Sequence, residues 1–288
     1  LIKMQDVDCH GDSTGSVQII VTGGIQNYTY LWDNNETTAI ALSLTAGFHT
    51  VWITDDWGCV IEDTISINEN ALIEDSITII QNVSCYGDSN GVVVISSYGG
   101  ILPHSYDWSN GHTNTIQPDT NSGLFFGSYY VIIEDQLGCR VVDSVFISEP
   151  DVLETEASMV AHVTCFGFDN GIATAIGIGG TTPYTYAWSN TATTENLSGL
   201  EAGTYDVTVT DANGCTSTSS VAVTEPTVLS VNGVATNVSC NGGNNGAIDL
   251  TVTGGTAPYN YAWSNTATTE DLNGLEAGTY DVTVTDAN

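Results

Sequence analysis

Basic residues are almost absent from this chain of 288 amino acids. Lys3 and Arg140 stand against 34 Asp and Glu residues, so the formal net charge at pH 7 is −32. A surface this acidic repels phosphate groups, which argues against binding to nucleic acids or to anionic membrane surfaces. Long apolar runs are also missing, and no segment approaches the 18 residues that a membrane-spanning helix needs.

What the chain does contain is a fourfold internal repeat. Four cysteines open similar short loops, a tryptophan follows each opener 23 residues later, and in three copies a second cysteine follows 50 to 54 residues later. The openers are Cys9, Cys85, Cys165 and Cys240; the tryptophans are Trp32, Trp108, Trp188 and Trp263; the second cysteines are Cys59, Cys139 and Cys215. We predict repeats at residues 1–72, 73–151, 152–227 and 228–288, with the fourth truncated before its second cysteine.

Each repeat is predicted to be all-β. Tyr280, Val282 and Val284 alternate with polar residues, which is the period of a half-buried strand. Paired glycines precede the strand that carries each tryptophan, and no segment has a helical period. This pattern predicts an immunoglobulin-like β-sandwich of six or seven strands per repeat. We expect the four tryptophans to lie in the cores, together with Tyr129, Tyr205 and Tyr280.

The phrase L-x-A-G-x-Y, which ends at Tyr205 and Tyr280, predicts a tyrosine corner, and Tyr129 stands at the matching place in the second repeat. In such a corner, a tyrosine at the start of a late strand donates its hydroxyl to the backbone of the preceding bend. The first repeat has His49 there, and we interpret it as a substituted corner because histidine can also donate a hydrogen bond.

These motifs together resemble the SprB repeat of giant bacterial adhesins. The resemblance rests on the cysteine loop, GG-x-x-PY-x-Y-x-W, L-x-G-L-x-A-G-x-Y-x-V-x-V-x-D and N-G-C, in that order. It covers nearly the whole chain, although the first repeat departs from it at Asn27, His49 and Trp57. The resemblance implies a cell-surface protein, exported by type IX secretion, whose repeats form a stalk or filament used in adhesion and gliding motility. It also implies fibronectin-like or polycystic-kidney-disease-like sandwiches.

Two cysteines per repeat, with no C-x-x-C motif, indicate disulfides formed in an oxidising compartment. If four strands separate the two cysteine turns, the turns share one end of the sandwich, and Cys9–Cys59, Cys85–Cys139 and Cys165–Cys215 form within repeats. If five separate them, the turns lie at opposite ends, and Cys9–Cys139 and Cys85–Cys215 join neighbouring repeats. We favour the first set because disulfides of small domains are usually local, and we expect Cys240 to bond a residue beyond 288.

Catalytic and cofactor chemistry find little support, since the five histidines do not recur at matching positions and no nucleophile or phosphate-loop motif is present.

A recurring aspartate stands four residues before the second cysteine, and we interpret it as a turn former. Calcium is the alternative, with oxygen ligands from the two loops that a disulfide within a repeat would bring together. Its ligands would come from Asp12, Asp55, Asp88, Asp135, Asp169 and Asp211.

We therefore predict a structural and adhesive array outside the cell, whose partners are neighbouring repeats of the same chain and surface polysaccharide or other cells. The alternative is a carbohydrate-binding accessory region of a secreted enzyme, with Trp52 and Trp57 stacking on sugar rings. Three Asp-Ser/Thr-apolar phrases resemble the O-glycosylation signal of this bacterial group, with acceptors at Thr64, Ser76 and Ser144.

Overall fold

The computed structural model describes residues 1–288, and strands are its only regular secondary structure. It divides into two compact units, Leu1–Glu149 and Pro150–Asn288, each holding strands of two sequence repeats. No helix has the length and apolarity needed to cross a membrane. The predicted all-β, immunoglobulin-like class is confirmed.

The first repeat contains six strands in two antiparallel sheets, one in the order β1-β2-β4 and the other in the order β3-β5-β6. The strands are β1 (Ile2–Gln5), β2 (Gly15–Gln18), β3 (Thr29–Trp32), β4 (Ile40–Leu44), β5 (Gly47–Thr54) and β6 (Val60–Ile67).

The second repeat follows the same plan with one additional short strand. Its sheets have the orders β11-β8-β7 and β10-β9-β12-β13. The strands are β7 (Glu74–Gln81), β8 (Gly91–Tyr98), β9 (Ser105–Trp108), β10 (Thr113–Asn114), β11 (Asp119–Leu124), β12 (Gly127–Glu134) and β13 (Arg140–Ile147).

The second unit contains sheets in the orders β14-β15-β17 and β16-β18-β19, followed by β20-β21-β23 and β22-β24. The strands are β14 (Glu154–Ala161), β15 (Gly171–Ile178), β16 (Thr185–Trp188), β17 (Asn196–Leu200), β18 (Gly203–Thr210), β19 (Thr216–Val223), β20 (Ser230–Thr236), β21 (Gly246–Thr253), β22 (Asn260–Trp263), β23 (Leu272–Leu275) and β24 (Val282–Thr285).

Each repeat has its own hydrophobic core between its two sheets. Along β8, buried positions alternate with half-buried ones, as expected when one strand face meets the facing sheet. The four tryptophans are buried, with 1 to 6% of their surface exposed. Tyr129, Tyr205 and Tyr280 are half-buried and pack at the edges of these cores.

The chain turns back directly after each tryptophan. The backbone N–H of Trp32 donates to the Glu36 carbonyl at 2.8 Å, and that of Trp108 donates to the His112 carbonyl at 2.9 Å. In the second repeat the returning segment forms β10, which pairs with β9. Five segments, not four, therefore separate the two cysteine turns of a repeat, and an odd number of antiparallel segments places those turns at opposite ends of the sandwich.

Close contacts identify the two ends of each sandwich. At the end that carries the cysteine loop, a Cβ on Gly15 would lie 2.8 Å from Cγ2 of Ile67 and from the Leu44 carbonyl oxygen. At the other end, the backbone N–H of Ile25 donates to Oδ2 of Asp55 at 3.2 Å. We call residues 55–59, 135–139, 211–215 and 286–288 the aspartate turns, and each lies beside the paired glycines of its own repeat.

Candidate functional site

A disulfide joins the cysteine loop of the first repeat to the aspartate turn of the second. It links Cys9 to Cys139, whose Cα atoms are 5.5 Å apart although 130 residues separate them in sequence. Cys85 and Cys215 are disulfide-bonded as well, whereas Cys59, Cys165 and Cys240 are free thiols. The first unit is thus closed covalently across two repeats.

These bonds correct the pairing that we favoured from the sequence. Cys9–Cys59 and Cys85–Cys139 are not formed because Cys9 and Cys139 bond each other, and Cys165–Cys215 is not formed because Cys165 is free. The reason is the return segment after the tryptophan. It puts the two cysteines of one repeat at opposite ends of eight-residue strands, about 26 Å apart at about 3.3 Å per residue. A disulfide can span only the short distance found between neighbouring repeats.

The junction between the first two repeats is packed and hydrogen-bonded. Oε2 of Glu69 accepts a hydrogen bond from the Gly11 N–H of the cysteine loop at 2.7 Å. The Gly100 N–H donates to the carbonyl oxygen of Ala71 at 2.9 Å. A Cβ on Gly99 would lie 1.8 Å from the Leu72 carbonyl oxygen, so only glycine lets the backbones approach this closely.

The same arrangement occurs inside the second unit. Oε2 of Glu225 accepts from the Gly167 N–H at 2.6 Å, and the Gly255 N–H donates to the Thr227 carbonyl at 2.8 Å. A Cβ on Gly254 would lie 1.9 Å from the Val228 carbonyl oxygen. This role of the glutamate was not predicted from the sequence. The available signal was a glutamate at the end of each of the first three repeats, matched by a glycine two residues after the opening cysteine of the same repeat.

The recurring aspartate ties the second cysteine to the paired-glycine turn. Oδ1 of Asp135 accepts from the N–H groups of Leu137 and Cys139, both at 2.9 Å, and Oδ2 accepts from the Ile101 N–H at 3.0 Å. Asp211 makes the equivalent contacts in the third repeat. The hydrogen bond from the Cys59 N–H is the largest influence on the pKa of the Asp55 carboxyl, and it lowers that pKa. Hydrogen bonds from the N–H groups of Ile25 and Trp57 act in the same direction, and together they outweigh the effect of partial desolvation. The aspartates thus act as turn formers.

The calcium alternative required Asp12 to lie near Asp55, and these residues are at opposite ends of the first repeat. Across the disulfide, Asp12 instead lines a groove with Arg140, whose positive charge disfavours a cation. Both oxygens of Asp135 already accept backbone hydrogen bonds. The structure contains no group of three or more His, Cys, Asp or Glu side chains placed to hold a metal ion.

The corner residues contact the backbone four positions earlier. The Tyr205 hydroxyl donates to the Glu201 carbonyl at 3.0 Å, and His49 Nε2 lies 2.9 Å from the Thr45 carbonyl oxygen. Tyr280 and Tyr129 make the equivalent contacts with Glu276 and Phe125. His49 thus occupies the place of the tyrosine.

A second tyrosine contact was missed in the sequence. The hydroxyl of Tyr184 donates to the carbonyl oxygen of Gly179, the first of the paired glycines, and Tyr28 and Tyr259 do the same in their repeats. The second repeat has His104 there, with Nε2 3.1 Å from the Gly99 carbonyl oxygen and Nδ1 2.6 Å from the hydroxyl of Ser97. The phrase GG-x-x-PY was the available signal.

A buried carboxylate replaces a backbone acceptor in the second repeat. Oδ2 of Asp119 accepts from the Trp108 indole N–H at 2.8 Å, while Oδ1 lies 3.0 Å from Nε2 of His112. Burial would raise the pKa of Asp119, but the hydrogen bonds from His112, Asn114 and Trp108 outweigh it and hold that pKa below its usual value. In the other repeats the indole N–H donates to a threonine carbonyl. This network supports the core of the second repeat.

Two further carboxyl groups meet where β7 and β13 approach each other. Oδ2 of Asp75 is buried with no hydrogen-bond partner, because the neighbouring Asp143 is also an acceptor while both are ionised. Burial, together with the side-chain contact to Asp143, raises the pKa of Asp75 to about 6. The pair can form a hydrogen bond only when one member carries a proton.

The remaining predicted surface residues are accessible. Trp57 is 79% exposed, and Trp52 is 37% exposed with its indole N–H donating to Glu62. The three glycosylation acceptors, Thr64, Ser76 and Ser144, are exposed on strands. Their modification stays a prediction.

Comparison with known proteins gives one strong result. The family model described as "SprB repeat" matches residues 2–37, 77–113, 158–193 and 232–268, which together make up just over half of the chain. A search of curated proteins finds no significant match.

Solved structures that resemble the chain include a 282-residue C-terminal fragment of intimin, crystallised with the intimin-binding domain of its translocated receptor. It is 14% identical, with 56% of this chain and 67% of that chain covered and a TM-score of 0.32. Immunoglobulin domains 1–5 of Sidekick-1 are 12% identical over 92% of this chain and 68% of theirs, with a TM-score of 0.28. Likenesses this weak carry no functional inference.

Proposed function

Because this chain belongs to the SprB repeat family, we propose that it is a section of a stiff extracellular stalk that acts in adhesion or gliding motility. In this proposal the stalk is exported by type IX secretion, and the chain contributes spacing and rigidity without catalysis. Its partners are neighbouring repeats of the same chain, and surface polysaccharide or other cells at the far end of the stalk.

The disulfide between Cys9 and Cys139 is the observation that carries the proposal. A bond between two repeats fixes one relative to the next, which serves a stalk better than a set of independently acting domains. Disulfides persist outside the cell and in other oxidising compartments, which supports a surface location.

The junction contacts support the stiffness. At Gly99 and Gly100 the backbone of the junction packs directly on the second repeat, so the connection is not a free linker. The charge of −32 adds repulsion between chains. That repulsion is screened over about 8 Å at physiological salt, so packing at the junctions should dominate the stiffness.

Small-angle X-ray scattering tests the stalk. Four sandwiches in line, with eight-residue strands of about 3.3 Å per residue, should reach on the order of 100 Å or more. We expect this maximum dimension to persist when salt is raised. A compact particle, or a length that collapses in salt, would leave a flexible string of domains and refute the rigid stalk.

Antibodies against the chain test the location and the role. They should label intact cells of the source bacterium and reduce surface attachment or gliding. Labelling that appears only after cell lysis would contradict the proposal.

Exposed Trp57 and Trp52 favour the carbohydrate-binding alternative, since aromatic faces stack on sugar rings. Both occur only in the first repeat, which argues against a glycan site in every repeat. A pull-down on insoluble polysaccharides distinguishes the two functions, with Trp57→Ala as the matched variant. Retention that Trp57→Ala abolishes would favour the alternative.

A further inference from the structure

The cysteine loop that begins at Cys165 is built like the loop that begins at Cys9. The Gly167 N–H donates to Glu225 as the Gly11 N–H donates to Glu69, and the Phe168 N–H donates to the Cys165 carbonyl as the Asp12 N–H donates to that of Cys9, both at 3.1 Å. The difference is chemical. Cys9 is disulfide-bonded, whereas Cys165 is a free, half-buried thiol.

The aspartate turn of the fourth repeat lies against this loop. Oδ2 of Asp286 accepts from the Thr256 N–H at 2.9 Å and Oδ1 from the Asn288 N–H at 3.1 Å, as in the aspartate turns that carry bonded cysteines. The side-chain amide of Asn288 donates to the carbonyl oxygen of Thr164 at 2.7 Å. Thr164 is the residue directly before Cys165.

In the first unit the corresponding contact occurs together with a disulfide. There, Sγ of Cys139 lies 3.5 Å from the carbonyl oxygen of Asp8, the residue directly before Cys9, and the disulfide forms beside it. Position 288 corresponds to Leu137 in that turn, so a cysteine two positions later would correspond to Cys139. The contact of Asn288 with Thr164 thus places the fourth aspartate turn beside the Cys165 loop, as the second aspartate turn lies beside the Cys9 loop.

We propose that Cys165 is the acceptor site of an inter-repeat disulfide, and that it bonds a cysteine placed two residues after Asn288 when the chain is extended there with Gly-Cys, the sequence that follows Asn213 in the third repeat. The occupant is thus the aspartate turn of the adjoining repeat, recognised by the carbonyl oxygen of Thr164 and by the junction around Glu225. This assignment does not depend on a role in adhesion.

The bond forms by thiol–disulfide exchange with a small disulfide oxidant, for which oxidised glutathione serves in the test. One cysteine thiolate attacks a glutathione sulfur and displaces one glutathione thiolate, which gives a mixed disulfide. The other cysteine thiolate then displaces the second glutathione. Two protein thiols are oxidised, and one glutathione disulfide is reduced to two glutathione thiols.

The test extends the full chain after Asn288 by eight residues that copy 214–221, so that a cysteine stands at the second added position. After equilibration in a glutathione redox buffer, non-reducing peptide mapping should find the added cysteine bonded to Cys165 and Cys240 still free. We expect this pair to exceed the pair with Cys240 at least tenfold, because Cys240 lies at the opposite end of its own repeat.

Two matched variants complete the design. The same extension with serine in place of the added cysteine should fold with an unchanged circular dichroism spectrum and leave Cys165 free. With Cys165→Ser, the added cysteine should remain a thiol or carry glutathione. A dominant bond to Cys240, or an added cysteine that stays free beside intact Cys165, would overturn the proposal.

Discussion

Removing the disulfide between Cys9 and Cys139 should destabilise the first unit strongly. The bond closes a loop with a sequence separation of 130 residues. In the chain-entropy model, a loop of that size stabilises the folded state by about 5 kcal/mol at 25 °C through restriction of the unfolded chain. The double variant Cys9→Ser, Cys139→Ser leaves no partner thiol that could bond elsewhere, so it measures this contribution cleanly.

Hydrogen exchange on the full-length chain is the suitable assay, because it reports on one unit without separating it from the other. Amides of β8 and β12 should lose up to about 5 kcal/mol of protection in the double variant. The matched control is Cys59→Ser, at an exposed free thiol, which should change protection by less than about 0.5 kcal/mol. If Cys59→Ser were the costly change and the double variant were neutral, the pairing between repeats would be wrong.

Three further changes test the cores and the carboxyl pair. Trp188→Ala should cost about 3 to 5 kcal/mol in thermal or denaturant unfolding because the indole is buried between the sheets, whereas Trp57→Ala should be nearly neutral; equal melting of the two would refute the core assignment. Asp75→Asn should stabilise the protein at pH 7 by about 1 kcal/mol, a value reduced for the partial exposure of the group. The raised pKa means that ionised Asp75 destabilises the fold above about pH 6. The stability of the wild-type protein should therefore increase as the pH falls from 7 towards 4 and Asp75 takes up a proton. Unfolding curves of the Asp75→Asn variant should lack that increase. Tyr205→Phe should lose about 0.5 to 1.5 kcal/mol through its missing hydrogen bond to Glu201, and an unchanged midpoint would show that the corner contributes nothing.

The strands and the positions of the tryptophans could be predicted because both are encoded locally. Period-two alternation in β8 and β18, with glycines at the turns, is visible within eight to ten residues. The cysteine pairing depended on counting segments, and β10 is only two residues long, Thr113–Asn114, with no periodic signal. Because this short segment was not counted, the second cysteine was predicted at the wrong end of the sandwich.

The junction was also beyond local prediction. The contact between Gly11 and Glu69 joins residues 58 positions apart, and neither residue type is unusual in its own surroundings. Only alignment of the repeats against one another, with the spacing of Gly11 and Glu69 kept in register, could have suggested it. His104 could not be predicted for a similar reason. It replaces a tyrosine whose hydrogen-bond partner is a backbone carbonyl, and the identity of the partner residue gives no sign of that contact.

The bond between Cys9 and Cys139 also decides how the first unit carries tension. If the unit is pulled at its two ends, the shortest covalent path enters at Cys9, crosses the sulfur–sulfur bond and leaves at Cys139. Most strands of both sandwiches lie inside the bypassed loop and bear little of the load. Even if those strands unravelled, the unit could not lengthen by the roughly 430 Å that the enclosed residues would span when fully extended. Under mechanical load the first unit therefore behaves as a short tether of fixed length.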